Sequence, residues 1–556
     1  MSAPTRYNFL FVMVDELMAA PVYETEEIKK WRNENLHAQK FLRENCMEFL
    51  NHYIGATACS PSRTTLFTGQ YPTLHGVTQT GGIAKSSSDP EITWLDSNTI
   101  PTMGKYFEKS GYKTWYKGKW HISEADIRIP GTRKAVPTFD QTTGELHHDN
   151  IELYKHSDRL KDYGFSGWIG PEPHGANPNN SASSSAVCFG GRDVCYADQV
   201  IELIDQVTTD SDDKPWLIVA SMVNPHDIVL FGDYSQNLPI LNFCIDPSLP
   251  DIPAPPTESD DLSTKPSVQE SYRQTYPKAL QPISDKETYR KFYYSLQKYV
   301  DDQINRILTK LKSTSAYENT IVIFTSDHGD QLGAHNLHQK WYNVYEETIH
   351  VPFIIHNPIL FNGYNTSDQL TSHVDIIPTM LELAGINQSS ILDKLKKDHF
   401  EVRPLVGKRM NLGIDNYIAD NIRDPVYFWT VDNPMKGTEA INLFTQLKYE
   451  PVAKPNCVEA VIAYIRTKVH PEKQLYKYAR YYDPLSNDPS TEEYELYNLT
   501  QDPTEMNNIA HGNKITPVNA FIKATMQSIL VEQRERKALK PKYVSSNVIV
   551  LPNRDF

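Results

Sequence analysis

The sequence predicts an α/β fold: a large, mostly parallel, doubly wound sheet with helices on both faces, plus a smaller C-terminal α+β subdomain. Three observations lead there. Apolar, β-branched runs alternate with amphipathic stretches over the first two thirds of the chain, the pattern of doubly covered strands joined by helical crossovers. Two of those runs end abruptly in acid, at Asp15-Glu16 and at Asp327-His328. The alternation then fades after about residue 400. We therefore expect one unit over 1–400, carrying an excursion at 228–284, and a second over 401–556.

The elements follow in order. Strands are expected at Phe9–Val14, Lys113–Tyr116, Trp216–Val223, Thr320–Thr325 and Val351–His356. A helix over Thr102–Ser110 follows Pro101, and Val200, Leu203, Ile204 and Val207 place another over Val194–Val207. The longest helix runs from Asp285 to Leu311. Ser284 and Glu287 suit a capping box at its start, and Tyr289, Phe292, Leu296, Val300, Ile304, Ile307 and Leu311 form its apolar stripe. Nine prolines from Pro239 to Pro282 break the pattern, which reads as a long functional loop rather than a core element. Beyond 400, Tyr427–Val431 and Tyr494–Leu499 read as short strands and Pro517–Leu539 as a closing helix.

Composition excludes several classes. Over 556 residues, 39% are apolar and 22% charged, which is globular rather than disordered or fibrous. Lys plus Arg number 55 against 69 Asp plus Glu, a net charge of −14. Such a chain is a poor binder of nucleic acid or anionic membranes, so a bound anion needs a local basic or metal site. No run approaches the roughly 18 apolar residues of a membrane helix. The chain enters its first strand without a signal-peptide pattern. Cys46, Cys59, Cys188, Cys195, Cys244 and Cys457 are scattered, so reduced thiols and a cytoplasmic location are expected.

Five clusters carry chemistry. Strand ends that place Asp15, Glu16, Asp327 and His328 together would make an oxygen-rich site with one imidazole, suited to Ca2+, Mg2+ or Mn2+. Cys59-Ser60-Pro61-Ser62-Arg63, running on to Thr68-Gly69, suits a helix with Pro near its start and Gly at its end. Cys59 would then sit at the anion-favouring N-terminus, with Arg63 one turn in. In Gly118-Lys119-Trp120-His121, alternation puts Lys119 and His121 on one face, where a cation beside an imidazole can bind an oxyanion and move a proton. His226, in Asn224-Pro225-His226-Asp227, and Lys340 complete the set. Taken singly, the strand-end acids fit a structural role equally well, and the Cys59 helix, His226 and Lys340 fit one better.

Together, these residues resemble the sulfatase family of the alkaline-phosphatase superfamily. Cys59-x-Pro61-x-Arg63 matches its signature. Gly118 to His121, Asp327-His328-Gly329, Lys340 to Glu347, Val300-Asp301-Asp302, Asp375 to Thr379 and Glu495 to Leu499 with Asp502-Pro503 follow in the family's order. The resemblance implies that a maturation enzyme oxidises Cys59 to Cα-formylglycine, whose hydrate attacks the sulfur of a small-molecule sulfate monoester. It implies one divalent cation, Ca2+ first, with Mn2+ or Mg2+ as alternatives, held by Asp15, Glu16, Asp327, His328 and residue 59. Arg63, Lys119 and His121 would orient the hydrate or take its proton, and His226 and Lys340 would contact the sulfate and the leaving oxygen.

Two departures bear on the reaction. Glu16 stands where many members carry a second Asp. His328 stands where many arylsulfatases carry Asn, as in the choline-sulfatase and phosphonate-monoester-hydrolase branch. The presence of both Lys119 and His121 ranks sulfate ester hydrolysis ahead of phosphonate monoester or phosphodiester hydrolysis. A catalytically silent binding protein ranks last, because Cys59, Asp327 and Lys340 are all present. The acidic surface and aromatic-rich excursion favour a small or uncharged alcohol moiety, and a homo-oligomer is compatible with the chain.

Overall fold

The structure is a computed structural model. It describes residues 6–542, apart from 83, 133, 141–144, 174–190, 239–240, 242, 415–423, 468–470 and 513–515. Two sheets organise it. Strands β1 (Asn8–Asp15), β2 (Cys46–Tyr53), β3 (Lys113–Gly118), β4 (Trp216–Pro225), β5 (Thr320–Ser326), β6 (Phe353–His356) and β7 (Tyr364–Ser372) form the larger one, in the order β3-β4-β1-β5-β6-β2-β7. β3, β4, β1 and β5 pair in parallel, as do β2 and β7, while β6 runs antiparallel to both β5 and β2. Six strands thus share one direction, and β6 alone is reversed.

The central strands are apolar on both faces because both faces are covered. Every residue of β1, β4 and β5 is buried. Phe9, Phe11 and Met13 pack with Leu217, Val219, Ile321 and Ile323 on one side. Leu10, Val12 and Val14 pack on the other, against the Gly191–Thr209 and Lys286–Lys312 helices. The expected long helix is present with its apolar stripe, but its cap differs. Asp285, not Ser284, accepts the Thr288 N–H, and Ser284 Oγ instead donates to Asp233. The carboxylate one residue later reaches the orphan amide, and Ser284 is drawn off by the Asp233 carboxylate.

The Pro-rich excursion is not simply a loop. Ser267–Ala279 is a helix, with Pro277 inside its last turn. Ile252, Val268, Tyr272 and Tyr276 are buried in the same cluster as Tyr289 and Phe292 of the long helix. The apolar side chains between the prolines tie the segment to the core.

The second sheet is antiparallel: β8 (Val426–Thr430), β9 (Cys457–Ile465), β10 (Gln474–Tyr482) and β11 (Glu493–Asn498), in the order β11-β10-β9-β8. The Pro517–Lys537 helix covers one face through Ile522, Met526 and Leu530. The other face, with Phe428, Ala460, Ile462 and Tyr481, joins the cluster of the excursion and the long helix. Among the described residues, no helix is long and apolar enough to cross a membrane, and five cysteines are free of disulfides.

Candidate active site

Parallel strands deliver their C-terminal ends to one edge of a sheet, and the chemistry-bearing residues follow those ends. Asp15 closes β1 and Glu16 follows it; Asp327 and His328 follow β5; Lys119 and His121 follow β3; His226 follows β4. The segment after β2 opens the Cys59–Thr68 helix with Cys59 as its first residue. Gly118 must be glycine: its φ is +99°, and a Cβ would stand 1.8 Å from the Ser221 carbonyl oxygen. This close approach lets Lys119 N–H donate to that carbonyl at 3.0 Å.

Every residue of the Cys59–Thr68 helix is buried, so its hydroxyls need partners inside the protein. Thr64, Thr65 and Thr68 donate back to the carbonyls of Ser60, Pro61 and Thr64. Ser62 donates to the Asp327 carbonyl at 2.5 Å. Gly69 ends the helix in the left-handed conformation at φ +64°. A polar, threonine-rich helix is thereby held rigidly against β5.

Arg63 organises the acids. Its Nη2 donates to Asp15 Oδ2 at 2.8 Å and its Nε to Asp327 Oδ2 at 2.7 Å. Nη1 donates to the Lys119 carbonyl and to Ser221 Oγ. Lys119 Nζ adds a second cation to Asp15 Oδ2 at 2.6 Å. Each carboxylate therefore has one oxygen committed to guanidinium, and its Oδ1 lies toward His328, 3.7 Å from Nε2 in both cases. His328 Nδ1 lies 3.0 Å from the Gly329 carbonyl, so Nδ1 carries the proton and the Nε2 lone pair is left for a ligand. Cys59 Sγ sits 3.1 Å from that Nε2, 3.7 Å from Asp15 Oδ1 and 3.9 Å from Lys119 Nζ.

Asp15, Cys59, Asp327 and His328 each offer a ligand atom within 4.8 Å of the others. Two carboxylate oxygens and one imidazole nitrogen suit a hard divalent cation, so the donor set fits the metal that the family implies. Glu16 stands outside this group. It approaches Asp15 and His226 instead, and its Oε2 is paired with Lys340 Nζ at 2.5 Å.

Electrostatics follow from burial and pairing. Burial alone would raise the Asp15 carboxyl, but Lys119 and Arg63 hold it well below its ordinary value. Asp327 is raised to about 7 by burial and by the Asp15 charge. Burial and Asp15 push the Cys59 thiol up to about 12, so at neutral pH it is no thiolate nucleophile. Burial would lower Lys340, yet Cys59, Glu16 and Asp15 hold it far above its ordinary value. Burial and then Lys119 keep His226 neutral.

His121 has φ +56°, a backbone conformation rare for its residue type. Glu172 holds it there: one carboxylate oxygen accepts the His121 N–H at 2.7 Å and the other the Trp120 N–H at 3.2 Å. Glu172, Ser221 and Asp330 were not among the residues singled out from sequence. Glu172 accepts from backbone amides, Ser221 Oγ accepts from Arg63, and Asp330 shares a side-chain hydrogen bond with Glu16; no local motif marks such a role. Above the site lies a pocket lined by Cys59, Lys119, His121, His226 and Lys340 together with residues of 80–85, the excursion and 434–435.

A protein-family model described as Sulfatase matches residues 7–386. The chain is 29% identical over 407 residues to the uncharacterised sulfatase YidJ of Escherichia coli, covering 70% of this chain and 69% of that one. It is 24% identical over 407 residues to the choline-sulfatase of Rhizobium meliloti, covering 69% of each. In structure it resembles the phosphonate monoester hydrolase of Silicibacter pomeroyi, with TM-score 0.60, 18% identity and 96% of each chain covered. With its seven-stranded and four-stranded sheets and the matched region spanning the whole edge where these residues meet, the chain is an enzyme of the sulfatase family.

Proposed function

We propose that the chain hydrolyses sulfate monoesters to sulfate and an alcohol or phenol, with residue 59 in its Cα-formylglycine form. The observation that carries this reading is the meeting of Cys59 with Asp15, Asp327, His328, Lys119 and Arg63 in one buried cluster. A thiol pushed up to about 12 is a poor nucleophile, whereas an aldehyde at the same place supplies a hydrate oxygen. Asp15 Oδ1, Asp327 Oδ1, His328 Nε2 and residue 59 would hold a divalent cation, Ca2+ first and Mn2+ or Mg2+ next. A bound cation of that kind neutralises sulfuryl oxygens and lowers the pKa of an oxygen nucleophile.

The chain's own residues supply the rest. Arg63 fixes both carboxylates, so the ligand atoms need no rearrangement when substrate enters. Lys119 and Lys340 remain charged at neutral pH and line the pocket beside residue 59. There they stabilise the sulfuryl group as negative charge grows on it. His226 is neutral and its Nδ1 has no hydrogen-bond partner in the protein. We assign it the hydrogen bond to the ester's bridging oxygen. His121, on the same pocket wall, takes the proton released from the nucleophile.

Phosphonate monoester hydrolysis is the second reading, favoured by His328 and the phosphonate hydrolase's matching fold. The Lys119 and His121 pair favours sulfate. The test is the mass of the peptide spanning residue 59 from native material, together with turnover of sulfate, phosphate and phosphonate esters. An aldehyde mass with fastest turnover on a sulfate ester is expected. An unmodified thiol in fully active protein would overturn the role of residue 59.

A further inference from the structure

The pocket over the site has a divided lining. Near residue 59 it is cationic and imidazole-rich. The rest of the lining is mostly apolar: Ala84, Val229, Leu280, Trp341, Pro434 and Met435, beside Thr80, Lys85 and two glycines. Leu280 belongs to the Pro-rich excursion, and Met435 lies beyond the residues that the family model matches. The outer wall is thus built largely from segments that carry none of the recognised motifs.

The chemistry of that wall restricts the alcohol. Recognition of a sugar needs polar side chains to pair its hydroxyls, because a buried hydroxyl without a partner is costly. Among the described residues lining the pocket there is no Asp, Glu, Asn, Gln or Arg, and away from the reacting end the neutral polar side-chain groups are two, the Thr80 hydroxyl and the Trp341 indole N–H, too few for the several hydroxyls of a sugar. Recognition of a carboxylated alcohol needs an available cation. Lys85 is the one lining cation away from the reacting centre, and it is fully buried and already committed. Its Nζ pairs with Glu91 at 2.8 Å and donates to Gln79 Oε1 at 2.7 Å. The remaining contacts are an indole ring, a thioether, and alanine, leucine, valine and proline side chains, which reward burial of hydrocarbon.

Resting on the function proposed above, we infer that the leaving-group pocket selects an uncharged, apolar alcohol, alkyl or aryl, with Leu280, Trp341 and Met435 as specificity-determining residues. Sulfate is gripped at the cationic end and the hydrocarbon is packed at the other. Neither end requires the alcohol itself to be polar.

The test uses the full-length, metal-replete, modified enzyme and ethyl, propyl and butyl sulfate, whose alcohols leave with nearly equal intrinsic difficulty. Glucose 6-sulfate and a uronate 2-sulfate serve as the polar comparison. We expect kcat/KM to rise roughly 3- to 10-fold per added methylene, and both sugars to fall below butyl sulfate. Met435→Gln and Leu280→Asn should each cut the butyl-to-ethyl ratio by about tenfold. This ratio does not depend on the amount of folded enzyme. A flat chain-length series, or a sugar sulfate turned over faster than butyl sulfate, would overturn this inference while leaving sulfate ester hydrolysis intact. Turnover of phosphonates alone, with no sulfate ester hydrolysed, would overturn the proposed function and this inference with it.

Discussion

Arg63 Nη2 meets Asp15 Oδ2 at 2.8 Å with neither side chain exposed. The guanidinium also spans to Asp327, so one residue of the signature helix joins the ends of two neighbouring strands. A planar fork does this and an ammonium cannot. Arg63→Lys should keep the charge but lose one of the carboxylates, lowering kcat at least about 100-fold. Arg63→Ala should leave buried acids unpaired and cost about 3–5 kcal/mol of stability. Steady-state kinetics and thermal melts of the two variants check this. Wild-type kcat in Arg63→Lys would contradict it.

Lys119 sits between Asp15 and residue 59. Lys119→Ala should lower kcat on a sulfate ester by about 10²–10³-fold, the usual loss on deleting one preorganised stabilising group. The second Asp15 cation, Arg63, remains, so the fold should persist. Circular dichroism beside the kinetics separates the two effects.

Metal dependence is tested by removal and return. Exhaustive chelation should abolish turnover, and a hard divalent ion should restore it. Asp327→Asn should weaken metal affinity by at least about 10-fold, read by metal analysis after dialysis against a buffered ion. Full activity in verified metal-free protein would exclude the site as described. The same metal analysis separates Ca2+ from Mn2+.

Glu172 gives a pH signature of its own. Burial, then the nearby Asp126, raises its carboxyl from 4.5 to about 7 in the folded protein. Between those values the unfolded chain has released the proton and the folded chain still holds it. Stability therefore falls as pH rises through this window, by about 3 kcal/mol in all, and the loss persists above it. Glu172→Gln cannot ionise, so its melting temperature should gain on the wild type from pH 5 to pH 8. A pH-independent difference would contradict the assignment. Glu172→Ala should also release the His121 backbone and lower kcat.

How much was legible depended on what each residue does. β1, β4 and β5 were readable because a strand covered on both faces must be apolar throughout. β2 and β7 were not: β7 reads Tyr-Asn-Thr-Ser-Asp-Gln-Leu-Thr-Ser, and its first five residues alternate between exposed and half-buried. β10 hid behind Lys477 and Arg480, which are buried or half-buried because Glu346, Glu505, Glu459 and Glu492 pair with them. The Ser267–Ala279 helix was masked by the prolines around and within it. At the site, strand-end acids and the Cys59 to Arg63 spacing were visible as local patterns. Glu172 was not, since it binds backbone amides whose neighbour 51 residues away no pattern announces. The Lys340 pairing with Glu16, across 324 residues, likewise needed the strand order β4-β1-β5.

The most direct test of the account compares kcat/KM for matched sulfate, phosphonate and phosphodiester substrates, in wild-type enzyme and in Cys59→Ala. The account predicts the highest value for a sulfate monoester, with slower side reactions on the phosphorus esters, and loss of all of them in Cys59→Ala with the fold retained. A phosphonate or phosphodiester that outruns every sulfate ester, or full sulfate turnover in Cys59→Ala, would contradict it.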